Sequence, residues 1–292
     1  MRWIDQLHAS SLAVVGTLAH VRVSYAVAAL LLYTGSLFLA AFRWRLVLRG
    51  LGGAVNYWRT LLAYLAGVCM GNITPARTVG GDACRIAALG ATSQVPLKTV
   101  AASVVIERLT EALPVTALVL MALSTLRPGA GHGRWILAIA ALLLAAAYVF
   151  RSTWHEWLQR WRAAMRTNAI APRTLAAVTG CSTIVWLQDA ARLALVAAAC
   201  GVALTPAQAA TLSVVSIVSG IVPTIGGLGV VEGGLVAALV VFGASLEVAV
   251  AVTAIERAIS FAFGTALGGV ALGILGARRI WPKRVTDPLV LQ

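Results

Sequence analysis

Charged side chains are scarce in this sequence. Only 11% of its 292 residues are charged, whereas 60% are hydrophobic and the mean hydropathy is +0.89. A soluble domain carries roughly 25% charged residues, so this composition excludes an ordinary soluble protein and predicts several membrane-spanning helices. The net charge of +13 comes from basic clusters between apolar runs. That pattern indicates membrane topology and argues against a nucleic-acid-binding surface.

Cysteine and histidine are also rare. The four cysteines have no short paired spacing and the four histidines are scattered, so we expect no metal site, no disulfide framework and no cofactor. The N-terminus lacks the charged, apolar and small-residue regions of a cleaved signal peptide, and none is expected. An intramembrane enzyme would need a nucleophile, but Cys69, Cys84, Thr74 and Thr78 have no histidine near them in the sequence.

One stretch contains residues that are unfavourable in a membrane-spanning helix, although its hydropathy predicts that it lies within the membrane. Residues 71–85 include Pro75, adjacent glycines, Asp82 and two arginines. Proline and glycine weaken helices, and an Arg or Asp at the membrane centre costs about 2.5 to 3.5 kcal/mol on insertion scales. A break in a helix at this point, rather than a continuous span, is the simplest explanation.

Hydropathy divides the rest of the chain into apolar spans and basic connections. A cytoplasmic interface is predicted where basic residues flank tryptophan, as in Arg43-Trp44-Arg45. The predicted fold is an all-α polytopic membrane protein with about six full spans and two re-entrant helical hairpins. The predicted segments are an interfacial helix (1–20), a first repeat (21–151) with a cytoplasm-facing hairpin (57–91), a cytoplasmic amphipathic linker (152–172), a second repeat (173–278) with an opposite-facing hairpin (206–243), and a cytoplasmic tail (279–292).

The second broken stretch, residues 220–229, repeats the first at a spacing of 149 positions. Gly71 and Gly220, and Gly80 and Gly229, are separated by this distance. The same offset relates Glu107-Arg108 to Glu256-Arg257, the only two Glu-Arg dipeptides in the chain. The basic clusters can all face the cytoplasm only if the two broken segments enter from opposite sides. The sequence therefore predicts two halves of inverted topology, in which such segments indicate a transporter's binding site.

The two broken segments are predicted to form an anion-binding site within the membrane. We expect Gly80 and Gly81 to begin one half-helix, with Asp82 as its N-cap and Arg77 and Arg85 beside a phosphate. Gly229 is expected to begin the other half-helix, with Glu232 as cap partner or proton carrier. The candidate substrate-binding residues are Asn72, Thr74, Arg77, Gly80, Gly81, Asp82, Arg85, Glu107, Arg108, Glu111, Gly226, Gly227, Gly229, Glu232, Glu256 and Arg257.

Two interpretations of the Glu-Arg pairs stay open. Arg108 can pair with Glu111 three residues later, and such residues can form a structural salt-bridge network. They can also bind a headgroup or protons, because ionisable residues within membranes usually face cavities. Asp189 and Arg192 are expected to satisfy each other as a structural pair outside the repeat.

At these motifs the chain resembles the flippase-like membrane family that includes the transmembrane domain of lysylphosphatidylglycerol synthases. The resemblance covers nearly all of residues 22–278 and rests on residues 43–45, 72–85, Glu107-Arg108 and 223–232. Members of this family usually have an extra N-terminal span, which we do not expect in this sequence. The soluble aminoacyltransferase domain of the synthases is not expected either, so lipid synthesis by this chain alone is not expected.

The predicted function is movement of an anionic phospholipid or a polyprenyl-phosphate type of lipid between leaflets of a bacterial or archaeal cytoplasmic membrane. The protein is not expected to be an enzyme, although a lipid-synthesising enzyme is a candidate partner. The alternatives are a secondary transporter of a small organic anion, an intramembrane lipid-phosphate enzyme, and a non-transporting scaffold.

Overall fold

In the computed structural model, residues 16–17, 19–75, 77–125, 170–220, 222 and 224–280 are described. They form helices joined by short loops, with no strand among them. The helices are α1 (Val23–Gly50), α2 (Tyr57–Ile73), α3 (Arg77–Thr92), α4 (Leu97–Leu123), α5 (Pro172–Ala199), α6 (Pro206–Ser219), α7 (Val230–Val241), α8 (Leu246–Arg257) and α9 (Gly264–Ile280). A π-helical segment, Ala258–Phe263, joins α8 to α9, and a 3₁₀ turn, Ile225–Gly227, precedes α7.

Helix ends recur at the spacing of 149 residues. Helices α1 and α5 each have 28 residues, and their first and last residues are both 149 positions apart. Each is followed by a glycine with φ near +80°, Gly52 and Gly201. This left-handed conformation disfavours side chains with a Cβ. The N-caps of α2 and α6, Asn56 and Thr205, are 149 positions apart as well. The repeat in the motifs therefore extends to the local signals that begin and end helices.

Three helices among the described residues have the length and hydropathy to cross a membrane. They are α1, α5 and the continuous helix Leu246–Gly276. Helix α4 is long enough at 27 residues, but Lys98, Glu107, Arg108 and Glu111 lower its hydropathy. Hydropathy also predicts a span at 135–150. This span, the interfacial helix up to residue 15 and the amphipathic linker up to residue 169 lie outside the described residues. The count of six spans thus stays a prediction.

Each half contains a pair of short helices, and small residues let the two helices of a pair approach closely. In the α2–α3 pair, a Cβ added to Gly81 would lie 2.7 Å from the carbonyl oxygen of Gly67. In the α6–α7 pair, a Cβ added to Gly234 would lie 2.9 Å from Val215 Cγ1. These are the positions at which a side chain would force each pair apart.

The connections of the two pairs meet. The 3₁₀ turn of the second pair brings Gly226, with φ of 59°, against the carbonyl oxygen of Asn72 and the ring of Phe261. Asn72 Nδ2 in turn donates to Thr265 Oγ1 at 2.9 Å. The two broken stretches, far apart in sequence, therefore form one region of the fold.

Candidate functional site

A cavity of about 530 Å³ lies between the two halves, and charged side chains line it. Five arginines and four carboxylates face this cavity from helices of both halves. In a protein with so few charges, this concentration identifies the cavity as the candidate site.

The charges of the first half meet at Glu107, which is fully buried. Its Oε1 accepts hydrogen bonds from Arg43 Nε at 3.1 Å and Nη2 at 3.0 Å. Its Oε2 accepts a hydrogen bond from Arg85 Nη1 at 2.5 Å. One carboxylate thus holds two buried guanidinium groups, and both of its oxygen atoms have partners.

Three further residues complete this first cluster. Arg43 Nη2 donates to Glu111 Oε1 at 2.7 Å, and Arg85 Nε donates to Asp82 Oδ1 at 3.0 Å. Arg108 bridges these two carboxylates at 3.0 Å from each. The first cluster therefore joins three arginines to three carboxylates. The pairing of Arg108 with Glu111 expected from the sequence is confirmed.

Aromatic rings cover the buried side of the first cluster. The Arg85 guanidinium lies 5.0 Å from the ring centroid of Trp44 and 5.7 Å from that of Tyr64. Trp44 Nε1 donates to Ser103 Oγ at 2.8 Å. Both Arg43 and Trp44 are buried among the helices, and the placement of residues 43–45 at a cytoplasmic interface stays a prediction. Arg43 lies inside because Glu107 and Glu111 compensate its charge there.

A second cluster occupies the corresponding place in the other half. Arg192 Nη1 donates to Glu256 Oε1 at 2.8 Å, and Arg192 Nη2 donates to Asp189 Oδ1 at 2.7 Å. Ser213 Oγ donates to Asp189 Oδ2 at 2.8 Å. The expected pair of Asp189 and Arg192 exists. Its interpretation as a closed pair outside the repeat is wrong, because Arg192 also binds Glu256 and both residues line the cavity.

Arg257 connects the second cluster to the tip of the second helix pair. Its Nη2 donates to the carbonyl oxygen of Gly226 at 3.0 Å, and its Nε lies 2.7 Å from Glu232 Oε1. Glu232 Oε2 accepts a hydrogen bond from the backbone amide of Gly229 at 2.6 Å. The expectation that Gly229 begins a helix with Glu232 as its cap partner is confirmed.

The first tip differs from its prediction. Helix α3 begins at Arg77, so Gly80 and Gly81 lie within it and do not begin it. Asp82 is consequently not an N-cap, and its carboxylate binds Arg85 and Arg108 instead. Residues 77–79 are already helical, so the helix begins three residues before Gly80. The side chain of Arg77 lies outside the described part of the chain.

The remaining predicted residues lie at the junction of the tips. Thr74 ends α2, and its Oγ1 donates to the carbonyl oxygen of Met70 at 2.6 Å. Gly226, Gly227 and Gly229 all have positive φ values, of 59°, 76° and 83°. Their conformations form the tight turn that brings the carbonyl group of Gly226 to Arg257. None of Thr74, Gly226, Gly227 and Gly229 is among the residues that line the cavity, so the structure does not bring these four predicted residues to the candidate site.

Comparison with known proteins fits this geometry. Residues 9–268 match the family model described as lysylphosphatidylglycerol synthase TM region. The chain belongs to this family. Two relatives, both called UPF0104 membrane proteins, come from Methanothermobacter thermautotrophicus and Pyrococcus horikoshii. Both relatives are 24% identical to this chain. The match to the first covers 82% of this chain and 82% of the relative. The match to the second covers 85% of this chain and 86% of the relative.

Membership in the lysylphosphatidylglycerol synthase TM family agrees with the resemblance seen in the motifs, and the chain is a helical protein embedded in a membrane. Arg43, Asp189 and Arg192 line the family member's cavity without having been predicted as site residues. The signal was present, because Arg43 and Arg192 are 149 positions apart, as are Glu107 and Glu256. The same offset applied to single arginines identifies Arg43 and Arg192, but not Asp189, because the position 149 residues before Asp189 is Ala40.

The described residues offer little for metal or covalent chemistry. Within them, no three His, Cys, Asp or Glu side chains are arranged to hold a metal ion. All four cysteines are free thiols, and Cys69 is buried. The described side chains around the cavity offer charge pairing and hydrogen bonding.

Proposed function

We propose that the protein moves a lipid with an anionic phosphate, either a phospholipid or a polyprenyl-phosphate type of lipid, between membrane leaflets. The headgroup passes through the charged cavity while the acyl or prenyl chains stay in the bilayer. The observation that carries this proposal is the cluster of five arginines and four carboxylates around one cavity in a chain with few charges. Charges in a membrane protein require such a cavity because lipid does not solvate them.

We further propose that the two halves have inverted topology in a bacterial or archaeal cytoplasmic membrane, with six spans and two re-entrant pairs, α2–α3 and α6–α7. The recurrence of helix ends at 149 residues supports the relation between the halves. The archaeal origin of the two relatives supports the choice of membrane. In such folds one half can rock against the other around a fixed site.

Arg108 and Arg257 are the proposed phosphate ligands. The Arg108 side chain is 47% exposed, and its Nη1 and Nη2 carry N–H groups beyond those bound to Asp82 and Glu111. Arg257 also lines the cavity and has an Nη1 group beyond its contacts with Gly226 and Glu232. Carboxylates already pair with these arginines, so a phosphate would bind by sharing or displacing those partners. Such exchange favours transient binding, which translocation needs.

Lipid exchange in proteoliposomes tests the proposal. We expect wild-type protein to move a fluorescent phospholipid or a polyprenyl phosphate faster than empty vesicles do. Arg108→Gln and Arg257→Gln should each reduce this rate about tenfold, because one charge-assisted hydrogen bond contributes about 1.5 to 3 kcal/mol. The matched control is Arg59→Gln on α2, an exposed arginine that does not line the cavity. Exchange at the rate of empty vesicles by folded wild-type protein would contradict the proposal.

A secondary transporter of a small organic anion is the second candidate. The cavity volume of about 530 Å³ favours it, since this lies within the range of small-molecule sites. Uptake of a water-soluble anion into proteoliposomes without lipid exchange would support this alternative. In either case we assign the protein no catalysis, and a lipid-synthesising enzyme would be a partner that supplies the lipid.

A further inference from the structure

The two clusters differ at one position of the repeat. Glu107 in the first half binds two arginines, Arg43 and Arg85. Its counterpart Glu256 binds Arg192, the counterpart of Arg43. The position 149 residues after Arg85 is Gly234, which has no side chain. In the first half, the guanidinium group of Arg85 binds the second carboxylate oxygen of Glu107. The second half has no corresponding guanidinium group at position 234 to bind Glu256.

Three polar atoms are left without partners in this part of the second cluster. Glu256 Oε2, Ser216 Oγ and Arg192 Nε are buried and make no hydrogen bond. The three residues all line the cavity, and the side chain of Glu256 is only 5% exposed. Buried polar groups in proteins almost always have partners, so the two unpartnered oxygen atoms, Glu256 Oε2 and Ser216 Oγ, indicate that the cavity binds a hydrogen-bond donor beside the second cluster.

In each helix pair a glycine faces a polar residue, but the glycine lies on the first helix of the pair in the first half and on the second helix of the pair in the second half. In the first half Gly67 lies against Arg85, since a Cβ added to Gly67 would lie 3.2 Å from Arg85 Cβ. In the second half the counterparts are Ser216 on α6 and Gly234 on α7, and a Cβ added to Gly234 would lie 3.0 Å from Ser219 Oγ. A side chain at position 234 thus has no room, and a partner for Glu256 must arrive through the cavity.

We propose that Glu256 Oε2 and Ser216 Oγ bind a cationic hydrogen-bond donor, a primary ammonium group, where the first half holds the guanidinium of Arg85. A primary ammonium group has three N–H donors and no acceptor. It therefore satisfies the free carboxylate oxygen and the serine oxygen together. A quaternary ammonium group carries charge but no N–H donor, so it leaves both atoms unsatisfied.

This ammonium site narrows the substrate class of the lipid transporter proposed above. The part of the inference that concerns a lipid headgroup rests on that proposed function. Arg257 follows Glu256 directly, and both line the cavity. A headgroup with its phosphate on Arg257 and its ammonium group on Glu256 is zwitterionic, in contrast to the anionic headgroup expected from the sequence. The charges of the second half agree with this, because two arginines, Arg192 and Arg257, pair there with three carboxylates, Asp189, Glu232 and Glu256. A purely anionic ligand would bring no positive charge to the third carboxylate.

Lipid exchange with two headgroups that differ only in N-methylation is the first test. We expect wild-type protein to move phosphatidylethanolamine about tenfold faster than phosphatidylcholine. Glu256→Gln should remove this preference, and Ser216→Ala should reduce it. Glu247→Gln is the matched control, since Glu247 lies on the same helix but is not among the residues of the cavity, and it should keep the preference.

Equal wild-type rates for the two lipids, or an unchanged preference in Glu256→Gln, would overturn the inference. So would an equal loss of both rates in Glu256→Gln, which is the result for a proton carrier.

Binding of a small cation separates this inference from the function proposed above. Ethylammonium chloride should raise the thermal unfolding midpoint of purified wild-type protein, whereas tetramethylammonium chloride should not. Glu256→Gln should lose the ethylammonium effect, and Glu247→Gln should retain it. If no lipid is exchanged but this cation effect is present, the proposed function fails and the site stands. If ethylammonium and tetramethylammonium act equally, or if Glu256→Gln responds as wild type does, the site is overturned.

Discussion

Glu107→Gln is expected to lose about 3 to 5 kcal/mol of unfolding free energy, because two buried guanidinium groups lose their shared carboxylate. Arg43 and Arg85 are both nearly fully buried and bind opposite oxygen atoms of Glu107. The remaining carboxylates, Glu111 and Asp82, also serve Arg108 and cannot fully compensate all three charges. Unfolding of detergent-solubilised protein, followed by tryptophan fluorescence, measures the loss.

Two variants make the result for Glu107 specific. Glu247→Gln removes a carboxylate that is not buried and lies in the first turn of α8, and it should cost less than about 1 kcal/mol, the range for an acidic side chain near a helix N-terminus. The double variant Arg85→Met with Glu107→Leu should cost less than the sum of its single changes, because it removes opposite charges together. Full additivity, or a loss for Glu107→Gln no greater than that for Glu247→Gln, would contradict a structural role for the first cluster.

Gly268→Ala is expected to destabilise the protein by about 1 to 3 kcal/mol or more, the range for overpacked cores. A Cβ at this position would meet the carbonyl oxygen of Leu65 and would lie 2.5 Å from Cys69 Cβ and 2.9 Å from the Cys69 amide nitrogen. Two of these atoms belong to the backbone of α2, so rotation of a side chain cannot relieve the clash. Helix α9 would have to move away from the α2–α3 pair.

The adjacent glycine provides the control for Gly268. A Cβ added to Gly269 meets no atom within 4 Å, and Gly269→Ala should be neutral or slightly stabilising because alanine favours helix. The comparison is made by thermal unfolding of the two variants in the same detergent. Equal midpoints for Gly268→Ala and Gly269→Ala would show that α9 does not pack against α2 as closely as described.

The two clusters have different roles despite their common plan. In the first, each oxygen atom of Glu107 is bound by an arginine of the chain, which suits a fixed support for the α2–α3 pair. In the second, Gly234 leaves one oxygen atom of Glu256 available to the cavity. The proposed distinction between a structural network and a binding site thus rests on a single difference between corresponding positions, Arg85 and Gly234.

Local signals in the sequence predicted the positions of several elements well. The turn glycine Gly229 and its partner Glu232 formed the expected helix start, because capping involves residues three positions apart. The same reasoning failed for Asp82, where pairing with Arg108 on another helix prevailed over a local capping role. The burial of Arg43 and Trp44 was not predicted for the same reason, since their partners Glu107 and Ser103 are about 60 residues away.

The sequence by itself determined that the chain is a helical membrane protein, that it has two related halves, and that its charges concentrate near two broken stretches. These properties follow from hydropathy, from periodicity and from a fixed offset between motifs, all of which are visible along the chain. Only the tertiary structure decided that Arg43 and Arg192 join the Glu-Arg pairs around one cavity, and that Glu256 keeps an unpaired oxygen atom. The physical reason is that compensation of a buried charge depends on which helices pack together, and no local pattern specifies that packing.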